Sequence, residues 1–154
     1  MLTFKRISVE EAEAFLNIMS DKDVIYFSSK VPQRPDLTWA KERLSAGTDI
    51  GLYDEGLLVG VFLEFPAVNE EIEVGYCIAS EHRGKKYASR GLKLFIELIR
   101  GRGYKGNIHA THAEDNAISG HMLKNAGFVE NGTTSYFSKG RNGQVNGKKV
   151  ILRP

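Results

Sequence analysis

Apolar positions along this chain recur with two spacings, and each change of spacing marks the edge of an element. Leu2 to Ile7 alternates loosely and predicts a first strand. Ala12, Phe15, Leu16 and Met19 then follow at i, i+3, i+4 and i+7, one stripe of a helix. Ser8, with Glu11 three residues on, supplies a capping box at its start. From Asp21 to Leu37 no period holds and Pro32 and Pro35 intervene, so the segment reads as a loop with one helical turn. Asp36 or Thr38 caps a short second helix running through Ala46, with Trp39 near its start.

Residues 49–54 and 57–65 read as strands around a tight turn at Asp54-Glu55-Gly56. Residues 71–79 form a third strand. Ile72, Val74, Tyr76 and Ile78 lie on one face of it, and Glu71, Glu73, Gly75 and Cys77 on the other. A long helix runs from about Lys86 to Arg100. Leu92, Phe95, Ile96 and Ile99 make its apolar stripe, with Lys93, Glu97 and Arg100 opposite. A strand over 106–113, a helix over 116–126 closed by Gly127, and strands over 128–137 and 148–152 complete the chain. Gly140 to Gly147, rich in glycine and asparagine, reads as the last hairpin loop. The order β-α-α-β-β-β-α-β-α-β-β predicts an α+β or mixed α/β fold, not a doubly wound sheet.

Length and composition narrow the classes without choosing among them. With 154 residues, 42% of them hydrophobic and 26% charged, residues 1–154 are expected to form one globular domain. A net charge of +2 argues against general nucleic-acid binding, which needs a stronger basic excess. Cys77 is the only cysteine, so no intrachain disulfide forms, which fits a reducing compartment. No apolar run reaches the ~18 residues of a membrane span, and the start MLTFKRIS lacks a signal-peptide core. The expectation is a cytoplasmic protein without a membrane partner.

The charged residues concentrate in Glu81-His82-Arg83-Gly84-Lys85-Lys86-Tyr87-Ala88-Ser89-Arg90, between the third strand and the long helix. A helix start leaves its first N–H groups unpaired at the positive end of the helix dipole, where a polyphosphate accepts several together. On its own the segment fits a solvated basic cap as well as an anion site. Asn116-Ala117-Ile118-Ser119 and Gly127-Phe128 fit, on their own, an N-cap and a helix stop.

Taken together and in order, these segments resemble the GNAT superfamily of N-acetyltransferases, within it most closely the branch acting on N-termini of ribosomal proteins. The family loop Gln/Arg-x-x-Gly-x-Gly/Ala finds Arg83, Lys86 and Ala88 at its first, fourth and sixth places. The branch pattern is matched by Gly75, Tyr76, Arg83, Gly84, Lys85, Tyr87 and Ala88, then by Asn116, Ser119, Gly127 and Phe128, and by Asn146-Gly147 before the last strand. Two positions depart from it. Lys86 stands where the family has glycine, and Leu123 where many members carry a tyrosine acid; Ser119 is the substitute the resemblance suggests.

The resemblance implies a central mixed, mostly antiparallel sheet of about seven strands flanked by about four helices. It implies direct acetyl transfer from acetyl-CoA, as co-substrate, to a primary amine, on a protein N-terminus or a small molecule. Arg83, Gly84, Lys85, Lys86, Tyr87, Ala88 and Ser89 would meet the coenzyme phosphates. The pantetheine arm would lie along Tyr76, Cys77 and Ile78, where a backbone N–H polarises the thioester. Asn116 and Ser119 would complete the cofactor site, and a homodimer is compatible with the pattern. Glu73 is the expected base, acting through water, with Glu71 as runner-up; the plainer reading of both is a solvent-facing carboxylate.

Cys77 reads as a small core residue rather than a nucleophile. His109 and His112, three apart on a strand, point to opposite faces and make no metal pair. Tyr26, Phe27 and Trp39 belong either to the core or to an acceptor pocket. Two further readings stay open: a non-catalytic acyl-CoA sensor, motivated by Lys86 and Leu123, and a nucleic-acid-binding domain using Arg83 to Arg90.

Overall fold

The computed structural model describes residues 1–154. Its strands are β1 (Leu2–Arg6), β2 (Ile50–Asp54), β3 (Leu57–Pro66), β4 (Ile72–Ile78), β5 (Ile108–Ala113), β6 (Val129–Ser138) and β7 (Gly143–Leu152). Its helices are α1 (Ala12–Met19), α2 (Lys22–Phe27), α3 (Leu37–Ser45), α4 (Tyr87–Gly101) and α5 (Ala117–Asn125). The strands form one sheet in the order β1-β2-β3-β4-β5-β7-β6. Every neighbouring pair is antiparallel except β4 and β5. This is the mixed, mostly antiparallel seven-stranded sheet the sequence predicts. No helix is long and apolar enough to cross a membrane.

Each face of the sheet has its own apolar layer, because β-strand side chains alternate. On one face, Leu92, Phe95 and Ile99 of α4 and Leu123 of α5 pack on Leu52, Phe62, Val74, Ile78, Ile108 and Val150. On the other, Phe15, Ile18 and Met19 of α1, Val24 of α2 and Ala40 and Leu44 of α3 pack on Val61 and Ala79, with Cys77 against them. The expected α4 stripe is present, Ile96 lying at its partly buried margin.

Three local readings change. The segment after α1 carries a fifth helix, α2, where a loop with one turn is expected; Asp21 caps it by accepting from the Asp23 and Val24 N–H groups at 3.1 and 3.2 Å. The capping box begins a 3₁₀ turn over Val9–Glu11 that leads into α1, and the Glu11 carboxylate accepts both the N–H and the hydroxyl of Ser8 at 3.2 Å. The expected loop over 140–147 is mostly strand: β7 begins at Gly143, and Asn146 and Gly147 pair with Ser135 and Thr134 of β6. Gly147 serves close approach rather than a turn, since a Cβ there would stand 2.9 Å from the Tyr136 ring.

Candidate active site

Two neighbouring strands of the sheet part company after a short junction. β4 and β5 are in register only at Ile72–Ile108 and Glu73–His109, and beyond those pairs they diverge into a cleft. Alternation decides which backbone groups line it. Ala79 N–H donates to Val59 at 2.9 Å, so Cys77, like Ala79, turns its backbone toward β3. Val74, Tyr76 and Ile78 then turn theirs toward the cleft, leaving part of a strand edge unpaired. Of the three strand residues expected along the pantetheine, Tyr76 and Ile78 offer backbone groups there and Cys77 does not. The Cys77 thiol lies on the far face, where burial pushes its pKa up to about 12, so it carries no thiolate near neutral pH.

α4 starts beside the open end of this cleft. The backbone N–H groups from Gly84 through Ser89 have no acceptor within the protein, the first closed bond of the helix being Arg90 N–H to Lys86 C=O at 3.0 Å. Gly84 and Lys86 both have positive φ, +81° and +62°, and successive N–H groups along such a turn make an anion-binding concavity. The side chains of Lys85, Lys86, Ser89 and Arg90 are exposed around it, and Tyr87 and Ala88 are half-buried beneath.

The family's glycine at position 86 has a physical reason here, because an L-residue held left-handed costs about 1–2 kcal/mol. Lys86→Gly relieves that, against a chain-entropy cost of about 0.5–1 kcal/mol for glycine. The expected outcome is a net stabilisation of roughly 0.5–1 kcal/mol, read as a small rise in Tm in a thermal melt.

At the closed end of the cleft the two carboxylates behave differently. Glu71 accepts from His109 Nε2 and from the Asn107 N–H, both at 2.9 Å, and these bonds hold it below its ordinary carboxylate range. Glu73, opposite His109 in the ladder, is half-buried, and burial lifts its carboxyl above the ordinary range against the pull of His109, Thr111, Lys149 and Lys30. Glu71 is already committed to two donors; Glu73 is the more basic and the freer of the pair.

On the other face, Tyr76 of β4 and Ser119 of α5 reach across the divergence, hydroxyl to hydroxyl at 3.2 Å. Burial raises the Tyr76 phenol further above its ordinary value, so it stays protonated. Asn116 caps α5 by accepting the Ser119 N–H at 3.2 Å, which fixes the serine at this point.

The remaining expected residues are placed as follows. Arg83 does not extend freely over the loop: its guanidinium binds Asp21 at 2.7 Å and Asp23 at 3.2 Å, tying α2 to the loop. His109 and His112 do face opposite ways; His112 Nδ1 bonds the Ala113 carbonyl at 2.8 Å, and its ring lies under Gly120. Phe27 packs edge-on against Tyr26. Trp39 is half-buried, stacked on Phe15 at 6.0 Å.

A second network has no counterpart in the sequence reading. Arg141, in the β6–β7 turn, binds Asp115 with both terminal nitrogens at 3.1 and 2.9 Å and lies 3.7 Å from the Tyr26 ring centroid. The Tyr26 hydroxyl donates to the same carboxylate at 2.8 Å. Three segments far apart in sequence meet there, so no local spacing announces it; the aromatic pair Tyr26-Phe27 beside a cation-bearing turn is the only trace.

The fold recurs among solved structures. An acetyltransferase of the GNAT family from Bacillus anthracis superposes with a TM-score of 0.86 at 16% identity, over 99% of this chain and 94% of that one. The microcin C7 self-immunity acetyltransferase MccE, in complex with acetyl-CoA and AMP, gives 0.83 at 13% identity over 99% and 92%. Mycobacterium smegmatis RimJ, in complex with CoA-disulfide, gives 0.82 at 16% identity over 98% and 81%. A search of curated proteins finds no match. The model of the acetyltransferase (GNAT) domain matches residues 1–129, a span holding the whole of β4, the loop before α4 and the whole of α5. With most of the chain matched, including both walls of the cleft, the protein belongs to the GNAT acetyltransferase family.

Proposed function

We propose that this protein is an acetyl-CoA-dependent N-acetyltransferase that passes the acetyl group directly to a primary amine. The observation that carries the reading is the run of unpartnered N–H groups from Gly84 to Ser89 at the mouth of the β4–β5 cleft. They suit a pyrophosphate, with Lys85, Lys86 and Arg90 adding charge, and the cleft edge at Tyr76 and Ile78 suits an amide-bearing arm. MccE, with the same fold, holds acetyl-CoA. The resemblance to the ribosomal-protein branch belongs to the same proposal, RimJ being among the structures that share the fold.

In this mechanism the amine nitrogen attacks the thioester carbonyl carbon, the C–N bond forms, and the C–S bond breaks. The developing oxyanion is met by a cleft-facing N–H of β4. The amine proton passes to Glu73, through water, and the sulfur leaves toward Ser119. A thiol ionises near 8.5, so the sulfur leaves as a thiolate and needs a hydrogen bond rather than a strong acid. Ser119, backed by the Tyr76 hydroxyl, supplies that bond, which is why leucine at position 123 is tolerable. Ser119→Ala is accordingly expected to lower kcat by only about tenfold, the worth of one hydrogen bond to a charged group, with coenzyme binding little changed.

Titration calorimetry with acetyl-CoA, followed by free-thiol detection over a panel of amines, tests the proposal. Stoichiometric binding and amine-dependent thiol release are expected. Binding without transfer to any amine would make the chain a sensor, and absence of binding would remove the proposal altogether.

A further inference from the structure

A primary amine of the protein's own chain stands beside the proposed base. Glu73 feels the charges of two lysines, Lys149 and Lys30, and they are placed differently. Lys149 lies on β7 opposite Thr111, half-buried, with β5 between it and β4. Lys30 comes from the other side, on the turn after α2. Its ammonium stands 5.6 Å from the centre of the Phe65 ring, a cation–π contact. Phe65 is the β3 partner of Glu73. Its ring also covers the next residue on that face, Gly75, where a Cβ would stand 3.5 Å from it. Gly75 lies between Val74 and Tyr76, whose backbone groups edge the cleft. Lys30 thus reaches over one aromatic ring toward both the base and the strand edge proposed for the thioester arm.

The fold fixes the backbone of this lysine and leaves its arm free. The residue before it, Ser29, accepts the Lys139 N–H at 2.9 Å, and the residue after it, Val31, is 2% exposed. The Lys30 side chain is exposed and makes no ion pair. Glu42 and Arg43 line the same surface, but Arg43 is held by Asp49 at 3.0 Å and Glu42 does not pair with Lys30. A flexible four-carbon stem on a fixed backbone lets the amine swing while keeping it near the cleft.

Resting on the transferase reading, we infer that Lys30 is a self-acetylation site: with no outside amine bound, the acetyl group of acetyl-CoA passes to the Lys30 Nζ of the same chain. The Lys30 ammonium gives one proton to Glu73 through water, and the freed nitrogen attacks the thioester carbonyl carbon. The C–N bond forms and the C–S bond breaks. The second proton lost by the nitrogen ends on the coenzyme thiolate, and the products are Nε-acetyl-lysine at position 30 and coenzyme A. A tethered amine is present at a high effective concentration, so the step needs no bound acceptor. It removes the ammonium over Phe65, and with it a positive charge facing Glu73.

Intact-mass spectrometry and peptide mapping of the full chain, incubated with acetyl-CoA alone, test this. One acetyl group per chain is expected, on Lys30, gained at a rate independent of protein concentration. That rate should exceed the background at exposed lysines away from the cleft, such as Lys41 and Lys93, by at least about tenfold. Lys30→Arg, which keeps a cation over Phe65, is expected to remove the mass gain. Glu73→Gln is expected to slow acetylation of Lys30 by at least about a hundredfold and to leave the background at Lys93 unchanged. Acetylation of Lys30 no faster than of Lys93, equal rates in wild type and Glu73→Gln, a rate that climbs with protein concentration, or the acetyl group on Lys149 instead would each overturn the inference. Thiol release with an outside amine in the same preparation would then show that the transferase reading stands. Failure of acetyl-CoA to bind in the calorimetry would end both.

Discussion

Glu73→Gln is expected to lower kcat by about 10²–10⁴-fold, the usual worth of a positioned general base, and to leave acetyl-CoA affinity unchanged. The amide keeps the shape of the carboxylate but accepts no proton. The pH profile separates this from general damage. Burial raises the Glu73 carboxyl above its ordinary value, so wild-type activity rises as pH climbs through that raised value, and in the variant this limb disappears. Stability should move the other way. A carboxyl whose folded-state pKa is raised contributes stability present below its unfolded value and lost as pH rises through the folded one. At neutral pH the ionised Glu73 is therefore a liability to the fold, and a thermal melt of Glu73→Gln at pH 7 should show Tm equal to or above wild type. Glu71→Gln, at a carboxylate held by two donors, should leave the acidic limb in place.

Phe62→Ala is expected to give the largest loss of stability, about 3–5 kcal/mol for a fully buried aromatic, visible as a fall in Tm of about 10 °C. Phe62 is 0% exposed and its ring meets three others: Phe4 at 5.0 Å, Phe95 at 5.2 Å and Tyr76, stacked, at 5.6 Å. The cavity left behind would open beneath α4, where Gly91 lets the helix approach so closely that a Cβ would stand 2.9 Å from the Phe62 ring. It would also free the Tyr76 ring, and with it the hydroxyl that meets Ser119. A loss of stability together with an added loss in kcat at temperatures where the variant is folded is the expected pair of readings.

Much of this architecture was legible in the chain because it is written in short-range patterns. The alternation over 71–79 identifies β4 and assigns Val74 and Glu73 to opposite faces, and the stripe Leu92, Phe95, Ile99 identifies α4. The strands around the Asp54–Gly56 turn and the cap at Asn116 are equally local. The short helix α2 was not legible, since six residues hold too little periodicity and its Asp21 cap looks like any polar loop residue. The first half of β7 was hidden because Gly143 and Gly147 are ambiguous letters, serving turns and close packing alike. For the site, the loop from Arg83 to Ser89 announced itself through charge and glycine. The rest depends on tertiary neighbours: Arg83 meets Asp21 and Asp23 across 60 or so positions, His109 decides between Glu71 and Glu73, and Arg141 reaches the Tyr26 carbonyl only because the last hairpin folds back.

The two-pair junction between β4 and β5 gives the protein the mechanics of a pair of tongs. The segment from β1 to α4 forms one arm and the segment from β5 to β7 the other, and each arm is continuous in the chain. The fulcrum is Ile72–Glu73 against Ile108–His109. The arms touch again across the gap where the Tyr76 and Ser119 hydroxyls meet and where Arg141 and Asp115 hold Tyr26, so any rotation at the fulcrum is borne by those few bonds. The residue expected to take the proton thus sits on the pivot that sets the grip, and a substitution that alters the backbone at Glu73 would change reach and reactivity together.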